Sequence, residues 1–569
     1  MRVAVAKFFC KLPIATTAAE RLSGQRRSRK SSIRGRNKRK KIGPSLSEFL
    51  HPTHVLLNGN ILTLDPAQPS AEAVAILGDR VAAIGTNDQA SALAGPGTVV
   101  TDLKGATVVP GFVDCHTHLL DFGLSLGNII LDGVRSIEEM KKRVAERAAD
   151  GSGWILGRGW DQERFAENRY PTRHDLDEVS PERPVFLRRT CGHICVVNSL
   201  ALKGSGITAQ TPDPPGGMID RDQSGEPTGI LRENAVDIVE ETVPSPPLEC
   251  YEEATLKACQ IALAAGLTMV HCMISSELQL RVLLKLKREG RLPLRFYIFI
   301  PAGLLKTAIQ LGLGSGLGDE WLRLGGVKII ADGSLGARTA GLEAPYSDDP
   351  LNRGILTYTQ EQLDQMVAEA HRYDFQLAIH AIGDRAAKMA LEAIEKATSW
   401  IPKQDMRHRI EHASVLSPHL IERLSEMKII ASVQPHFIVS DFWLKRRLGP
   451  ERARFTYPIS TLHNAGVTVV GGSDSPVDPL APLLGIAAAI DRPDPDEAIT
   501  VGDAIALYTS NAALASFDEK VRGTIALGKF ADLVVLDKDP RKVSKSDIGK
   551  IMVLMTMIGG KIAYRSEAS

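Results

Sequence analysis

The strongest constraint on the fold of this chain is an alternation. Eight apolar, strand-like runs recur at 108–115, 267–272, 295–300, 326–331, 375–380, 408–412, 429–434 and 467–473. Stretches of helical period separate most of them, for example 249–265, 276–289, 360–373, 383–399 and 418–427. A helix between two strands carries the chain back across the sheet, so the strands run parallel. Eight such units predict an α/β fold of the (β/α)8, TIM-like barrel type. An open doubly wound sheet is the alternative, but no Gly-x-Gly-x-x-Gly loop follows a strand. The 569 residues exceed one ordinary core, and a barrel with insertions can pass about 400 residues.

The rhythm breaks once. Between a helical stretch at 136–149 and the run at 267 lie roughly a hundred residues too many for a simple connection. Trp154 to Trp160 and Pro184 to Arg189 read as strands, and Thr211 to Gly217 as a Pro/Gly-rich loop. Residues 151–248 are therefore expected to form an insertion on the barrel, over the strand ends where such barrels keep their active sites. Both ends of the chain are β-rich. Thr53 to Leu64 reads as a strand, and Ala71 to Ile84 as a hairpin turning at Gly78-Asp79. Gly523 to Gly528, Ala531 to Leu536 and Met552 to Tyr564 read as further short strands. The predicted organisation is a small β-sandwich built from 53–109 and 515–569, and a barrel over 110–514. Residues 1–52 form a basic tail.

Composition places the chain among ordinary globular proteins, 44% hydrophobic and 24% charged. Its seven cysteines are scattered and odd in number, which suits reduced thiols and a cytoplasmic setting. Cys191-Gly-His-Ile-Cys195 resembles half a zinc site, but no second Cys/His pair follows at finger spacing. The net charge of +1 hides a cluster of Arg and Lys between Arg21 and Lys41. A nucleic-acid or membrane arm, a targeting peptide and a disordered tail are its three readings. Few large apolar residues sit there, so the disordered tail is expected. No run approaches the roughly 20 apolar residues of a membrane span. Neither nucleic acid nor membrane is an expected partner. A homo-oligomer is compatible with the chain.

What ends the strands carries the chemistry. His116 and His118, spaced i, i+2, point the same way on a strand. Two neutral imidazoles suit a borderline metal such as zinc. Lys328 lies inside an apolar run, His380 and His412 close the fifth and sixth runs, and Asp474 follows the eighth. Taken singly, each has an ordinary role: a hydrogen-bonded core histidine, a stem-buried lysine, a helix cap. Their coincidence at the strand ends of one barrel argues for a shared metal site.

These pieces resemble the metal-dependent amidohydrolase superfamily, and within it the amidohydrolase family 3 branch, which includes N-substituted formamide deformylase-like proteins. The matching segments are Pro110-Gly-Phe-Val-Asp-Cys-His-Thr-His118, Val327-Lys-Ile-Ile-Ala-Asp-Gly-Ser-Leu335, Ala378-Ile-His-Ala-Ile-Gly-Asp384, Arg409-Ile-Glu-His412, Gly472-Ser-Asp-Ser-Pro476 and Gly523 to Val535. The resemblance covers roughly 53–569 and leaves out the basic tail. It implies that His116, His118 and Asp474 bind one divalent metal and His380 and His412 a second, with zinc the expected element. Lys328, carboxylated to a carbamate, would bridge the two. It implies hydrolysis of a non-peptide carbon–nitrogen bond of a small molecule, an amide first, by a metal-bound hydroxide with Asp474 as proton carrier. A heterocycle deaminase or cyclic-amide hydrolase uses the same site. A non-catalytic regulatory protein on the same scaffold is the reading of a different class. Softer candidates are His193 and Asn198 in the insertion, which resemble a motif near the family's pocket or else serve local packing, His271 at the end of the second strand, a candidate to face the site, and Asp332 and Ser334 on a loop after Lys328 expected to face the pocket. Asp384 is expected either there or at the start of the helix at 383–399.

Overall fold

The eight expected strands form one parallel sheet that curls into a nearly closed barrel. The computed structural model describes residues 51–567. The strands are β1 (Phe112–Thr117), β2 (Leu267–Met273), β3 (Arg295–Pro301), β4 (Leu322–Ile330), β5 (Gln376–Ala381), β6 (Arg409–His412), β7 (Ile430–Val433) and β8 (Val469–Gly471). Each pairs in parallel with its chain neighbours. The last gap is bridged where the strands end: Asp474 N donates to His116 O at 2.7 Å and His118 N to Ser475 O at 2.8 Å.

Period two explains why these runs look continuously apolar. In β2, Met269 and Met273 enter the barrel interior with Tyr297, Phe299 and Ala378. Val270 and Cys272 face outward into the layer between strands and helices, with Leu263, Val282 and Leu283. Both faces of a parallel barrel strand are covered, so both must be apolar. The helices begin where side chains can cap them. Ser136, Ser276, Thr359 and Ser417 each accept the N–H of the third helical residue of Ile137–Ala149, Glu277–Arg288, Gln360–Arg372 and Pro418–Glu426. Each cap contributes about 1 kcal/mol.

Two further sheets gather the ends of the described chain. One has six strands in the order Lys561–Arg565, Val553–Ile558, Leu533–Leu536, Thr107–Pro110, Asn60–Leu62 and Ser70–Ala71; the other has Arg80–Gly85, Ala73–Leu77, His54–Leu57 and Val99–Asp102. Leu56, Val74, Ile76, Val108, Leu533, Val535, Met555 and Met557 share the core between them.

Three expected strands split. The run 108–115 divides at Gly111 into Thr107–Pro110, which joins the terminal sheet, and barrel strand β1. A side chain at Gly111 would come within 2.3 Å of Thr268 Oγ1, so only glycine lets the chain pass there. The expected strand 53–64 divides at Asn58, whose φ of 56° sends the two halves to different sheets. Met552 to Tyr564 becomes a hairpin turning at Gly559 and Gly560. Gly523 to Gly528 forms no strand.

Between β1 and β2 in the chain lies a six-stranded mixed sheet, Gly217–Arg221, Pro227–Glu233, Ile194–Val197, Val185–Arg189, Ile155–Trp160 and Ile129–Ile130, its last strand coming from before the expected insertion at 151–248. Apolar clusters cover both its faces. The expected basic tail lies outside the described residues. Among those residues every cysteine is a free thiol, and no helix is long and apolar enough to cross a membrane.

Candidate metal centre

At the C-terminal ends of the barrel strands, His116 Nε2 and His118 Nε2 each stand 3.4 Å from Asp474 Oδ1. One donor atom from each of these three residues lies within 4.8 Å of the others. Lys328 Nζ approaches His116 Nε2 to 3.1 Å. Val327 and Ile329 face the outer layer, so alternation turns Lys328 inward. In β5 the same alternation sends Ala378 and His380 inward. The rings of His380 and His412 lie 4.3 Å apart and those of His412 and His116 4.8 Å apart. The six residues expected as ligands thus surround one site. The tight donor group is the first three; His380 and His412 stand beside it.

The ring nitrogens turned away from the site are held. His116 Nδ1 is 2.5 Å from Glu411 Oε2, and His412 Nδ1 is 2.7 Å from Gln434 Oε1. Glu411 in turn takes two hydrogen bonds from Arg409, at 2.8 and 3.0 Å. Arg409 also donates to Cys115 O and Ser432 Oγ. An acceptor on Nδ1 keeps the proton there and leaves Nε2 with a free lone pair, the arrangement a metal-binding histidine needs. His380 differs, with Nε2 3.0 Å from Gly333 O. His412 follows Glu411 directly and would face the opposite side of a regular strand. Its φ of 72° ends the period, so both residues reach the site. Asp474 has a left-handed backbone too, at φ 54°. Such strain clusters where surrounding structure enforces a functional geometry.

Electrostatics fit a cation. Burial drives the imidazoles of His116, His380 and His412 well below the ordinary histidine value, which keeps them neutral. Burial likewise lowers Lys328, to about 8. Burial alone would raise Asp474, but the His118 hydrogen bond and the nearby Lys328 ammonium help hold it at about 2. Neutral imidazoles and an ionised carboxylate are the donor types that zinc and similar ions accept.

The softer candidates divide. His193 lies on the turn between Val185–Arg189 and Ile194–Val197, with its ring 5.3 Å from that of His380. Its Nδ1 is 2.7 Å from Glu233 Oε2. Burial works against its charge, but Glu233 prevails and raises it to about 9. Asn198, open from the sequence between a place near substrate and local packing, is engaged locally. Its carbonyl oxygen accepts from Val185 N and Ala201 N, and its amide donates to Ser180 O and Arg183 O. It is fully buried. The oxygen caps helix Ser199–Gly204 through Ala201 N, and the remaining bonds tie Asn198 to Val185, Ser180 and Arg183. His271 is buried inside the barrel, taking a hydrogen bond from Arg409 at 2.8 Å, with its ring 5.0 Å from Tyr297 and its Nε2 without a partner among the described residues. The Asp332 carboxylate accepts the backbone N–H groups of Gly341, Ile382 and Gly383, which ties the loops after β4 and β5 together. Ser334 is engaged in the same loop, accepting from Ala337 N. Asp384 opens helix Asp384–Trp400.

Glu411, Arg409, Gln434 and Glu233 were missed as site residues. The signal for the first two was present: Arg409 and Glu411, spaced i, i+2, are opposite charges on one face of a strand, and a strand inside a barrel demands that they be paired. Glu233 gave no local signal, because its partner His193 is 40 residues away.

The profile of the amidohydrolase family matches residues 99–564. The Bacillus subtilis (strain 168) protein YtcJ is 36% identical over 490 residues, covering 83% of this chain and 92% of its own. The N-substituted formamide deformylase of Arthrobacter pascens is 28% identical over 542 residues, 90% of this chain and 99% of its own. The crystal structure of a metal-dependent hydrolase from Pyrococcus furiosus superposes with a TM-score of 0.70 at 36% identity, covering 86% of this chain and all of that one.

Proposed function

The chain belongs to the amidohydrolase family, and from that premise we propose that it cleaves a non-peptide carbon–nitrogen bond, an amide, in a small molecule. The coarse assignment is a metal-dependent hydrolase. The observation that carries it is the convergence of His116, His118 and Asp474, with Lys328 against His116. The relative named for N-substituted formamides supports the amide bond.

His116, His118 and Asp474 would hold one divalent ion, zinc by donor type, and His380 and His412 a second, with Lys328 between them. A bound ion supplies a Lewis acid that polarises a carbonyl and acidifies water. Buried and with a pKa near 8, Lys328 has a neutral amine within reach at ordinary pH. That amine adds to CO2, losing one N–H proton to solvent, and the carbamate offers two anionic oxygens where an ammonium offers none. Asp474, ionised and next to both His116 and His118, accepts the proton of the attacking water and passes it to the leaving nitrogen. Glu411 fixes the His116 ring. His193, held by Glu233, is a charged donor aimed from the insertion at the substrate carbonyl.

Metal analysis of the full chain, followed by a panel of N-acyl, N-formyl and cyclic amides, tests the reading. One to two equivalents of metal and chelator-sensitive hydrolysis of at least one amide are expected. A metal-loaded protein inert toward the whole panel refutes the amide assignment, and a protein that binds no metal refutes the hydrolase.

A further inference from the structure

The barrel sheet has one seam that no ladder closes. Its strands run in order from β8 back to β1, and among the described residues no ladder joins those two. The segments facing each other across that gap carry the tight donor group: His116 on β1, and Asp474 just past β8.

The backbone beyond β8 presents the seam with a difficulty. In a regular parallel ladder the amides of successive residues serve opposite neighbours. Gly472 N keeps to this and donates to Val433 O of β7 at 2.9 Å. Ser473 N and Asp474 N then both turn to β1. Asp474 N finds a backbone acceptor, His116 O, at 2.7 Å. Ser473 N is met by a side chain instead, Asp114 Oδ1, at 3.0 Å. The same oxygen accepts His116 N, also at 3.0 Å. One carboxylate oxygen thus receives an amide from each side of the seam. Both bonds are buried and Asp114 itself is 1% exposed, so without that oxygen each amide would be an orphan out of reach of water. The approach is close: a Cβ on Gly472 would stand 2.6 Å from His116 N and 3.1 Å from Asp114 Oδ1, which is why glycine occupies 472.

We propose that Asp114 is a positioning residue of the metal centre: its carboxylate replaces the missing rung between β1 and β8 and so sets the separation of His116 from Asp474. Glu411 holds the His116 ring. Asp114 holds the backbone that carries that ring and, through Ser473, the backbone that delivers Asp474. His116 Nε2 stands 3.4 Å from Asp474 Oδ1, close to the spacing of two donors about 2.0–2.1 Å from one tetrahedral ion. This inference rests on the metal-centre reading of the site and adds a residue that touches neither metal nor substrate.

The test has two arms, both on the full chain. In the first, the metal-free protein is followed by amide hydrogen exchange. Peptides covering 112–118 and 470–478 are expected to exchange slowly in the wild type. They should exchange at least about tenfold faster in Asp114→Ala, which orphans two amides, and within about threefold of wild type in Asp114→Asn, whose Oδ1 still accepts both. Peptides covering β3 are the control and should not change. In the second arm, metal affinity is measured by chelator competition where urea curves show every variant folded. Asp114→Ala should bind at least about tenfold more weakly, as loss of an outer-sphere partner gives, and Asp114→Asn about as well as wild type. Metal affinity in Asp114→Ala equal to wild type overturns the proposal, since Asp114 would then serve stability alone. So does faster exchange spread over β3 as well, or an Asp114→Asn chain as impaired as Asp114→Ala. If Asp114→Ala does not fold, the other two chains decide: slow exchange at 470–478 in the metal-free wild type, kept in Asp114→Asn, supports the rung, and exchange there as fast as around the exposed Leu351 refutes it. A wild type that binds no metal sinks the metal-centre reading and leaves the exchange arm standing; a metal-binding wild type whose seam is indifferent to Asp114 does the reverse.

Discussion

Glu411→Gln changes one atom type at a position with no solvent access, and its consequences can be worked out bond by bond. Glu411 accepts three hydrogen bonds: Arg409 Nε at 2.8 Å, Arg409 Nη2 at 3.0 Å and His116 Nδ1 at 2.5 Å. A glutamine has one acceptor oxygen and one donor amide. If its oxygen stays toward Arg409 Nε, the amide faces two donors, Arg409 Nη2 and His116 Nδ1–H. The imidazole must then shift its proton to Nε2, the nitrogen that faces Asp474 and Lys328. If the amide flips, Arg409 Nε loses its acceptor instead. Either way the Arg409 charge is left among neutral partners, Cys115 O, Ser432 Oγ and His271 Nδ1. Removing one partner of a buried ion pair costs about 3–5 kcal/mol. Loss of the group that orients a metal-bound histidine typically costs about 10–100-fold in metal affinity. The assay is paired: urea unfolding of the metal-free chain, and chelator competition for the metal. Gln434→Ala, which removes only a neutral acceptor from His412, should do less in both. Unchanged metal affinity in Glu411→Gln, in a folded protein, would falsify the argument that this carboxylate sets the tautomer of His116.

Asp474→Asn should fold and retain some metal, but turnover should fall by about a hundred- to ten-thousand-fold because asparagine cannot take the proton; near-normal turnover with metal bound refutes the assignment. Lys328→Ala should lose metal and activity together, while Lys328→Glu should lose less, since a carboxylate partly replaces a carbamate; metal content and density at the side chain in crystals decide it, and an unmodified lysine turned away from a loaded, active site ends the carbamate idea. For His193, the folded pKa of about 9 lies above an unfolded value near 6.5. Its pairing with Glu233 therefore stabilises the metal-free chain fully below about pH 6.5, and that contribution fades as pH rises through about 9. The contribution is on the order of 3 kcal/mol at most, and Glu233→Gln should flatten it; a Glu233→Gln chain with the same stability difference between pH 6 and 10 as wild type contradicts the pairing.

The barrel and its ligand candidates were legible in the sequence because both are local signals. A strand buried on both faces must be apolar over its length, and a helix must show its own period, so the alternation survives in the order of residues. A histidine or lysine that ends such a run stands out against it, which is how His116, Lys328, His380 and His412 could be named. Punctuation was harder to read. Gly111 and Asn58 each interrupt what looks like a single strand, and only the sheets on either side show that the two halves belong to different layers. In the insertion, Ile194–Val197 is four residues long, too short for its period to show. The partners of the site were beyond reach for a different reason. Glu411 meets His116 across 295 residues and Lys328 meets it across 212. Hydrophobic patterning says which face of a strand is covered, but not which side chain from a distant strand covers it. Only the folded chain shows that Asn198 ties local backbone together, that Arg409 donates to His271, and that Asp332 takes three backbone N–H groups beside His380.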